Sequence, residues 1–130
     1  MRIRATGGNQ AGTSSENKII GVVRLPYNFR RWRTQAFRVR TKVELTGASI
    51  GGNVVVKISD PISAGNYLAE TYSRSFGSSG DTDYEDAVIT AEQMGRDWRP
   101  GYALRFEVIF EVPKTFTTCS LLVGLLDIGW

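Results

Sequence analysis

Apolar and polar residues alternate along much of this chain with a period of two, which is typical of β-strands with one buried and one exposed face. The longest example follows the turn signal Pro100-Gly101. The side chains expected on its buried face are Leu104, Phe106, Val108, Phe110 and Val112, and those expected in water are Arg105, Glu107 and Glu111. Residues 98–112 therefore predict a turn and a long strand of a two-layered all-β protein.

Similar patterns, separated by Gly, Pro, Asn and Asp, predict the remaining elements. Besides the strand that ends at Val112, the predicted strands cover residues 18–25, 36–45, 54–59, 67–76, 87–90 and 118–128. Thr90 and Gln93 have the spacing of a capping box and predict a single helical turn that Gly95 ends. Seven or eight strands at this spacing predict an antiparallel β-sandwich or jelly roll.

The length of 130 residues is typical of one domain. Residues 5–17 are small and polar and cannot bury enough surface to offset the entropy of ordering. We therefore expect a flexible N-terminal arm over residues 1–17 that orders on a partner, and a single β-sandwich domain over residues 18–130. Residues 121–126 are apolar at every position and predict a strand buried on both faces, its outer side covered by a partner subunit or by a loop.

Charge is unevenly divided along the sequence although the net charge is only +3. Residues 1–60 carry 11 Lys/Arg against 3 Asp/Glu, and residues 61–130 carry 5 against 10. Such a division indicates either a half that faces nucleic acid or complementary surfaces that dock copies of the chain. We favour the second interpretation, because symmetric oligomers are common among soluble proteins.

The composition argues against most catalytic chemistry. The chain has no histidine and one cysteine, Cys119, which excludes Ser-His-Asp and Cys-His catalysis, most zinc sites and an internal disulfide. Asp81, Asp83, Glu85 and Asp86 resemble a calcium loop superficially, but the glycine and final glutamate of an EF-hand are missing, so we interpret them as a solvated acidic loop. We expect no enzyme activity, no catalytic residue, no metal and no cofactor.

Neither a secretory leader nor an apolar run of membrane-spanning length is evident, which predicts synthesis in a cytoplasm and no membrane partner. The sharpest local feature is the basic loop Arg30-Arg31-Trp32-Arg33. It has three interpretations: Trp32 plugs one end of the sandwich while the arginines stay in water, the loop is a protein interface, or it grips phosphates while the ring stacks. Nucleic acid is the least favoured. The predicted protein-interaction residues are Arg2, Arg4, Arg30, Arg31, Trp32, Arg33, Arg38, Arg40 and Trp130.

Several sequence features follow one another in a fixed order over residues 18–130. They are Leu25-Pro26 after the first predicted strand, a strand that ends at Asp60, Trp98-Arg99-Pro100-Gly101, an alternating strand and the closing Val123-Gly124-Leu125-Leu126. This series resembles small jelly-roll or β-sandwich structural proteins of tailed bacteriophages, which occur as capsid decoration (cement) proteins, head fibres and tail-spike modules.

The resemblance implies a non-enzymatic structural protein of the virion that binds itself, often as a homotrimer, and binds the major capsid protein or another virion protein. Coat proteins of plant viruses share the architecture, but their N-terminal arms usually carry more basic residues than the two found here, Arg2 and Arg4. That difference argues against RNA packaging.

A glycan- or receptor-binding module on the same fold is the alternative. This alternative is suggested by Tyr67, Tyr72 and Tyr84 together with the Gly/Ser loop at 77–80, because exposed aromatic rings can stack on sugars.

Overall fold

A computed structural model describes residues 2–4, 16–60, 67–95, 98–112 and 115–130. They form eight strands and one short helix, so the all-β prediction is confirmed. In chain order the elements are β1 (Arg2–Arg4), β2 (Glu16–Arg24), β3 (Gln35–Thr46), β4 (Gly52–Asp60), β5 (Tyr67–Phe76), β6 (Glu85–Thr90), α1 (Ala91–Met94), β7 (Ala103–Glu111) and β8 (Thr118–Ile128).

The strand pairing is that of one long hairpin wrapped on itself. β4 pairs with β5 at the closed end of this hairpin. Successively farther from that end, β3 pairs with β6, β2 with β7 and β1 with β8, and all these pairings are antiparallel. Two further pairings, β3 with β8 and β4 with β7, complete two four-stranded sheets. Sheet A has the order β1-β8-β3-β6 and sheet B has the order β2-β7-β4-β5. This is the arrangement of a jelly roll.

The core lies between the sheets and consists of the alternate residues that the sequence pattern predicts. Phe37 of β3 contacts Phe106 of β7 with ring centroids 5.5 Å apart, and Phe76 contacts Phe110 at 5.6 Å. The alternation along β7 is confirmed with two exceptions, because Ala103 and Ile109 lie in the outer row and are nevertheless buried.

Cys119 is a buried free cysteine at the start of β8, opposite Leu45 on the core side of sheet A. Burial raises the pKa of its thiol to about 12. The side chain therefore stays protonated at neutral pH and packs as a small apolar group.

Gly21 makes room for a core aromatic ring where the edge strand β2 pairs with β7 in sheet B. It lies opposite Phe106 on β7, and a Cβ at this position would overlap the Cζ of that ring. We expect Gly21→Ala to destabilise the fold by about 1–3 kcal/mol, because the ring must leave its place in the packed core. Urea unfolding measures the loss. Gly77→Ala is the matched control, since its Cβ would meet nothing within 4 Å; an equal loss in both variants would contradict this explanation.

The predicted helical turn is confirmed. Thr90 Oγ1 accepts a hydrogen bond from Gln93 N (3.3 Å), and Gln93 Oε1 accepts one from Thr90 N (2.8 Å), which completes the capping box. Gly95 ends the helix with φ of 75°. Within the part of the chain that the structure describes, no helix is long and apolar enough to cross a membrane.

The structure differs from the predicted flexible arm over residues 1–17 at both ends of that segment. Arg2–Arg4 form β1 and pair with residues 120–122 of β8, and Glu16 and Asn17 begin β2 opposite Glu111 and Phe110. Three residues are too few for alternation to be recognised, and the polar start of β2 is held by backbone pairing with β7. Residues 5–15 lie outside the described part.

Among the described residues no loop buries the second half of the 121–126 run, so the structure does not support cover by a loop there, whereas cover by a partner subunit stays a prediction. Leu121 is buried, whereas Leu125 and Leu126 are each 37% exposed. The register shifts here, since Thr41 pairs with Val123 while Arg40 pairs with Leu125, and Gly124 is the extra residue of this bulge. β1 covers only residues 120–122 of the neighbouring edge, and no other strand of the described ranges lies beside β8 on that side.

Candidate interaction surface

Four segments meet at one end of the sandwich. Leu25 N donates to Tyr102 O (2.9 Å), Arg33 N donates to Gly129 O (2.9 Å), and Ala91 N donates to Thr34 O (3.0 Å). These bonds tie the β2–β3 loop to the segment before β7, to the C-terminal residues and to α1. We call the surface formed by residues 25–34, 91–95, 98–102 and 129–130 the basic-aromatic end.

Trp32 closes this end from within. Its ring meets Phe29 edge-on at 5.0 Å and Trp98 edge-on at 5.7 Å between centroids. The indole Nε1 of Trp98 donates to Met94 O at 3.0 Å, which anchors the cluster to α1. The structure thus places Trp32 as a plug beneath the loop, while the arginines on either side of it are exposed. Whether those arginines bind a partner stays a prediction.

The outer part of the basic-aromatic end combines cationic and aromatic side chains. Arg30, Arg31 and Arg33 are exposed, Tyr27 is 92% exposed and Trp130 is 42% exposed. Two shallow cavities adjoin Arg31. One of about 300 Å³ is lined by Asn28, Phe29, Arg30, Arg31 and Trp130, and one of about 520 Å³ is lined by Arg31, Trp32, Thr34, Thr90, Ala91 and Glu92. The surface therefore has cavities as well as positive charge.

The other predicted interaction residues lie elsewhere. Arg38 and Arg40 belong to the outer row of β3 in sheet A, and the backbones of Arg2 and Arg4 pair with Leu122 and Ser120 of β8. Leu122 precedes Trp130 by eight residues, a strand length of about 26 Å. The structure thus divides the predicted set into the basic-aromatic end and a separate group on sheet A.

Arg40 forms an ion pair within the chain. Its guanidinium Nε donates to Asp86 Oδ1 at 2.7 Å and its Nη2 to Oδ2 at 3.2 Å. This bidentate hydrogen bond, together with the attraction of the positive charge, lowers the pKa of the Asp86 carboxyl and raises that of Arg40. Arg40 is therefore less available to a partner than the arginines of the β2–β3 loop.

The lowered pKa of Asp86 gives a pH prediction. The pair stabilises the fold above the ordinary carboxyl pKa of about 4, and this contribution disappears as the pH falls through the lower value of the folded state. Because both side chains are solvent-accessible, we expect Asp86→Asn to cost less than about 1 kcal/mol near neutral pH. Urea unfolding should show this difference shrinking as the pH falls below the ordinary carboxyl pKa of about 4. A difference that grows on acidification would contradict the assignment.

Some basic residues of the first part of the sequence pair with acidic residues of the second part within a single chain. The jelly-roll pairing places basic β2 beside β7, where Lys18 Nζ lies 3.5 Å from Glu107, and basic β3 beside β6, where Arg40 meets Asp86. Arg38 also lies opposite Asp127 of β8 in the ladder. The division therefore supports docking between copies less than the sequence indicates.

The acidic segment 81–86 also has internal partners. Asp81 is buried 2.9 Å from Arg74 Nη1, so the interpretation of this segment as a solvated loop is wrong for Asp81. Its Oδ2 also accepts from Val43 N at 3.2 Å. No group of three or more potential metal-ligating side chains occurs among the residues described.

Sequence reasoning missed the role of Arg74 and two exposed apolar residues. Arg74 occupies the inner row of β5, opposite Val54. Ile20 and Val22 lie in the outer row of the edge strand β2 and are 46% and 55% exposed. Their spacing of two was visible in the sequence, but the neighbouring Ile19 and Val23 concealed which face is buried.

The tyrosines proposed to stack on a sugar do not form one platform among the described side chains. Tyr72 packs against the core, and Tyr84 lies on another part of the surface, beside Gly124. The side chain of Tyr67 lies outside the described residues.

Comparison with known proteins does not assign this chain to a family. No family model matches it, and no curated protein matches it. Since one architecture hosts many unrelated functions, function must be inferred from the surface as well as from the strand order.

Proposed function

We propose that this chain is a non-enzymatic structural component of a virus particle, of the capsid decoration or a related type, which binds copies of itself and neighbouring virion proteins. The observation that carries the proposal is the jelly-roll strand order, β1-β8-β3-β6 over β2-β7-β4-β5. Viral capsid domains use this architecture, although lectins and cupins use it as well.

The surface supports an assembly role. Arginine, tryptophan and tyrosine are the residues most enriched at the energetic centres of protein interfaces. The basic-aromatic end presents all three in one place, with Arg30, Arg31, Tyr27 and Trp130 exposed. Ordinary solvation accounts for exposed arginines but not for two large aromatic rings beside them.

Self-association has its own candidate surface on β8. Leu125 and Leu126 are exposed next to the edge that β1 leaves uncovered. An exposed strand edge with apolar side chains readily accepts another chain. We therefore expect a homo-oligomer, with a trimer favoured, in which a second copy covers this part of sheet A.

Quantitative mass spectrometry of particles purified from the virus stock that encodes the chain tests the proposal. We expect the chain at a fixed copy ratio to the major capsid protein, and light scattering of the isolated chain at micromolar concentration should give an oligomer. A strict monomer that is also missing from the particles would overturn the proposal.

A pair of variants locates the self-association surface. Leu125→Glu should shift the oligomer toward monomer, because it introduces a charge on the uncovered part of β8. Ile50→Glu is the matched control, since Ile50 is also an exposed apolar residue but lies in the β3–β4 loop.

A further inference from the structure

The arginines of the β2–β3 loop are a concentration of uncompensated positive charge. Arg40, Arg74 and Arg105 each lie within 3.3 Å of a carboxylate oxygen. Arg30, Arg31 and Arg33 have no ion pair within the described part of the chain and project into water. Three guanidinium groups within four residues repel each other, and an anionic partner would relieve that repulsion.

The loop that carries these charges is held in place. Its backbone is bonded to Gly129 through Arg33 N and to α1 through Thr34 O. Trp32 fixes it from below through Phe29 and Trp98. A pre-organised surface loses less entropy on binding than a flexible one, which favours use as a binding site.

The geometry also limits the kind of anion. Proteins that bind a nucleic-acid backbone commonly neutralise about 6–10 phosphates, whereas this loop offers three guanidinium groups. Glu92 lines the larger cavity next to Arg31 and would repel a continuous polyanion there. A short segment with a few carboxylates fits the charge better, since arginine binds carboxylates through two parallel hydrogen bonds.

A second copy of the chain is a poor source of that segment. In the acidic stretch 81–86, Asp81 and Glu85 both lie beside Arg74, and Asp86 is paired with Arg40. Using any of these three against a neighbouring copy would compete with a pair already made, which leaves exposed Asp83 as the carboxylate of this stretch with no ion pair among the described residues. A segment with several available carboxylates is therefore better supplied by a different protein.

From these observations we infer that the basic-aromatic end binds a short acidic segment of another protein, with carboxylates on Arg30, Arg31 and Arg33 and an apolar side chain against Trp130. This inference rests on the proposed function, which makes the partner a neighbouring virion protein. The cavity of about 300 Å³ between Arg30, Arg31 and Trp130 is the place for the apolar side chain.

Tryptophan emission provides a direct assay, because all three tryptophans, Trp32, Trp98 and Trp130, belong to this end. The probe is a synthetic peptide with three aspartates around one leucine, compared with the same peptide carrying asparagine for aspartate. We expect a saturable emission change with the acidic peptide below about 1 mM and none with the neutral one. Arg31→Ala should weaken binding about tenfold. Arg105→Ala is the control, because this exposed arginine lies on β7 in sheet B.

The outcomes separate the possibilities. Equal responses to the two peptides overturn the inference, as does an oligothymidylate strand of about twelve nucleotides that binds at least as tightly as the acidic peptide. An unchanged urea midpoint for Arg31→Ala ensures that weaker binding does not reflect unfolding. If the peptide fails while the chain is found in purified particles, the inference falls and the proposed function stands.

Discussion

Replacing Arg74 by alanine is expected to destabilise the protein by about 3–5 kcal/mol, although an arginine on a strand usually lies in water. Arg74 extends from β5 in sheet B toward sheet A, where its Nη2 donates to Thr41 Oγ1 at 2.7 Å and its Nη1 lies 2.9 Å from Asp81. The side chains of Arg74 and Asp81 are only 8% and 7% exposed. The variant leaves Asp81 with a buried, uncompensated charge, and urea unfolding measures the cost.

Two further variants test this explanation. Arg74→Met combined with Asp81→Asn should recover most of the loss, because the orphaned charge is gone and the asparagine carbonyl can still accept from Val43 N. Arg105→Ala, which breaks a partly buried pair with Glu107 at 3.3 Å, should cost less than about 1 kcal/mol, because Lys18 still lies 3.5 Å from the same carboxylate. A double variant as unstable as Arg74→Ala would show that lost packing, and not the charge, determines the effect.

Arg74 also makes the apolar-polar alternation of β5 irregular. Its bounds, residues 67–76, are those predicted, yet its inner row runs Tyr72, Arg74, Phe76. A charged residue in that row weakens the alternation on which strand prediction depends. Its partners Asp81 and Thr41 come from a loop and from the other sheet, so only the tertiary fold reveals that the charge is satisfied.

The strands and the capping box were predictable because they depend on neighbouring residues. The two-residue period placed β7 closely, the continuous apolar run at 121–126 indicated β8, and Thr90 with Gln93 marked α1. The short β1 and the exposure of Leu125 were not predictable. Both depend on which strand lies beside β8, a long-range pairing that local patterns do not encode.

The sequence predicted the basic loop of the candidate surface but not the other segments that lie beside it. The sequence 30–33 identified the basic loop, but the presence of Trp130 beside it follows only from the closure of the jelly roll, which brings the end of β8 to the β2–β3 loop. Conversely, Arg38 and Arg40 are close to the loop in sequence but lie along sheet A. The candidate surface is thus smaller than the basic region of the sequence.

Trp98→Ala is expected to cost about 3–5 kcal/mol and also to weaken the binding of the acidic peptide by the protein that remains folded. Trp98 is buried, its ring supports Trp32, and its Nε1 donates to Met94 O. Without it, Trp32 loses one of the two rings that hold it, and the arginines on either side lose their fixed positions. Far-UV circular dichroism in urea measures stability, and the emission of Trp32 and Trp130 reports peptide binding.

Matched variants separate positioning from stability. Phe76→Ala removes an aromatic ring of the core next to Gly52, at the opposite end of the sandwich, and should be about as destabilising without changing peptide affinity. Trp98→Phe keeps a ring but removes the hydrogen bond to Met94 O, so a loss of about 1 kcal/mol is expected with affinity largely retained. Equal peptide affinities for Trp98→Ala and Phe76→Ala, measured where both are folded, would show that the aromatic cluster stabilises this end without positioning its arginines.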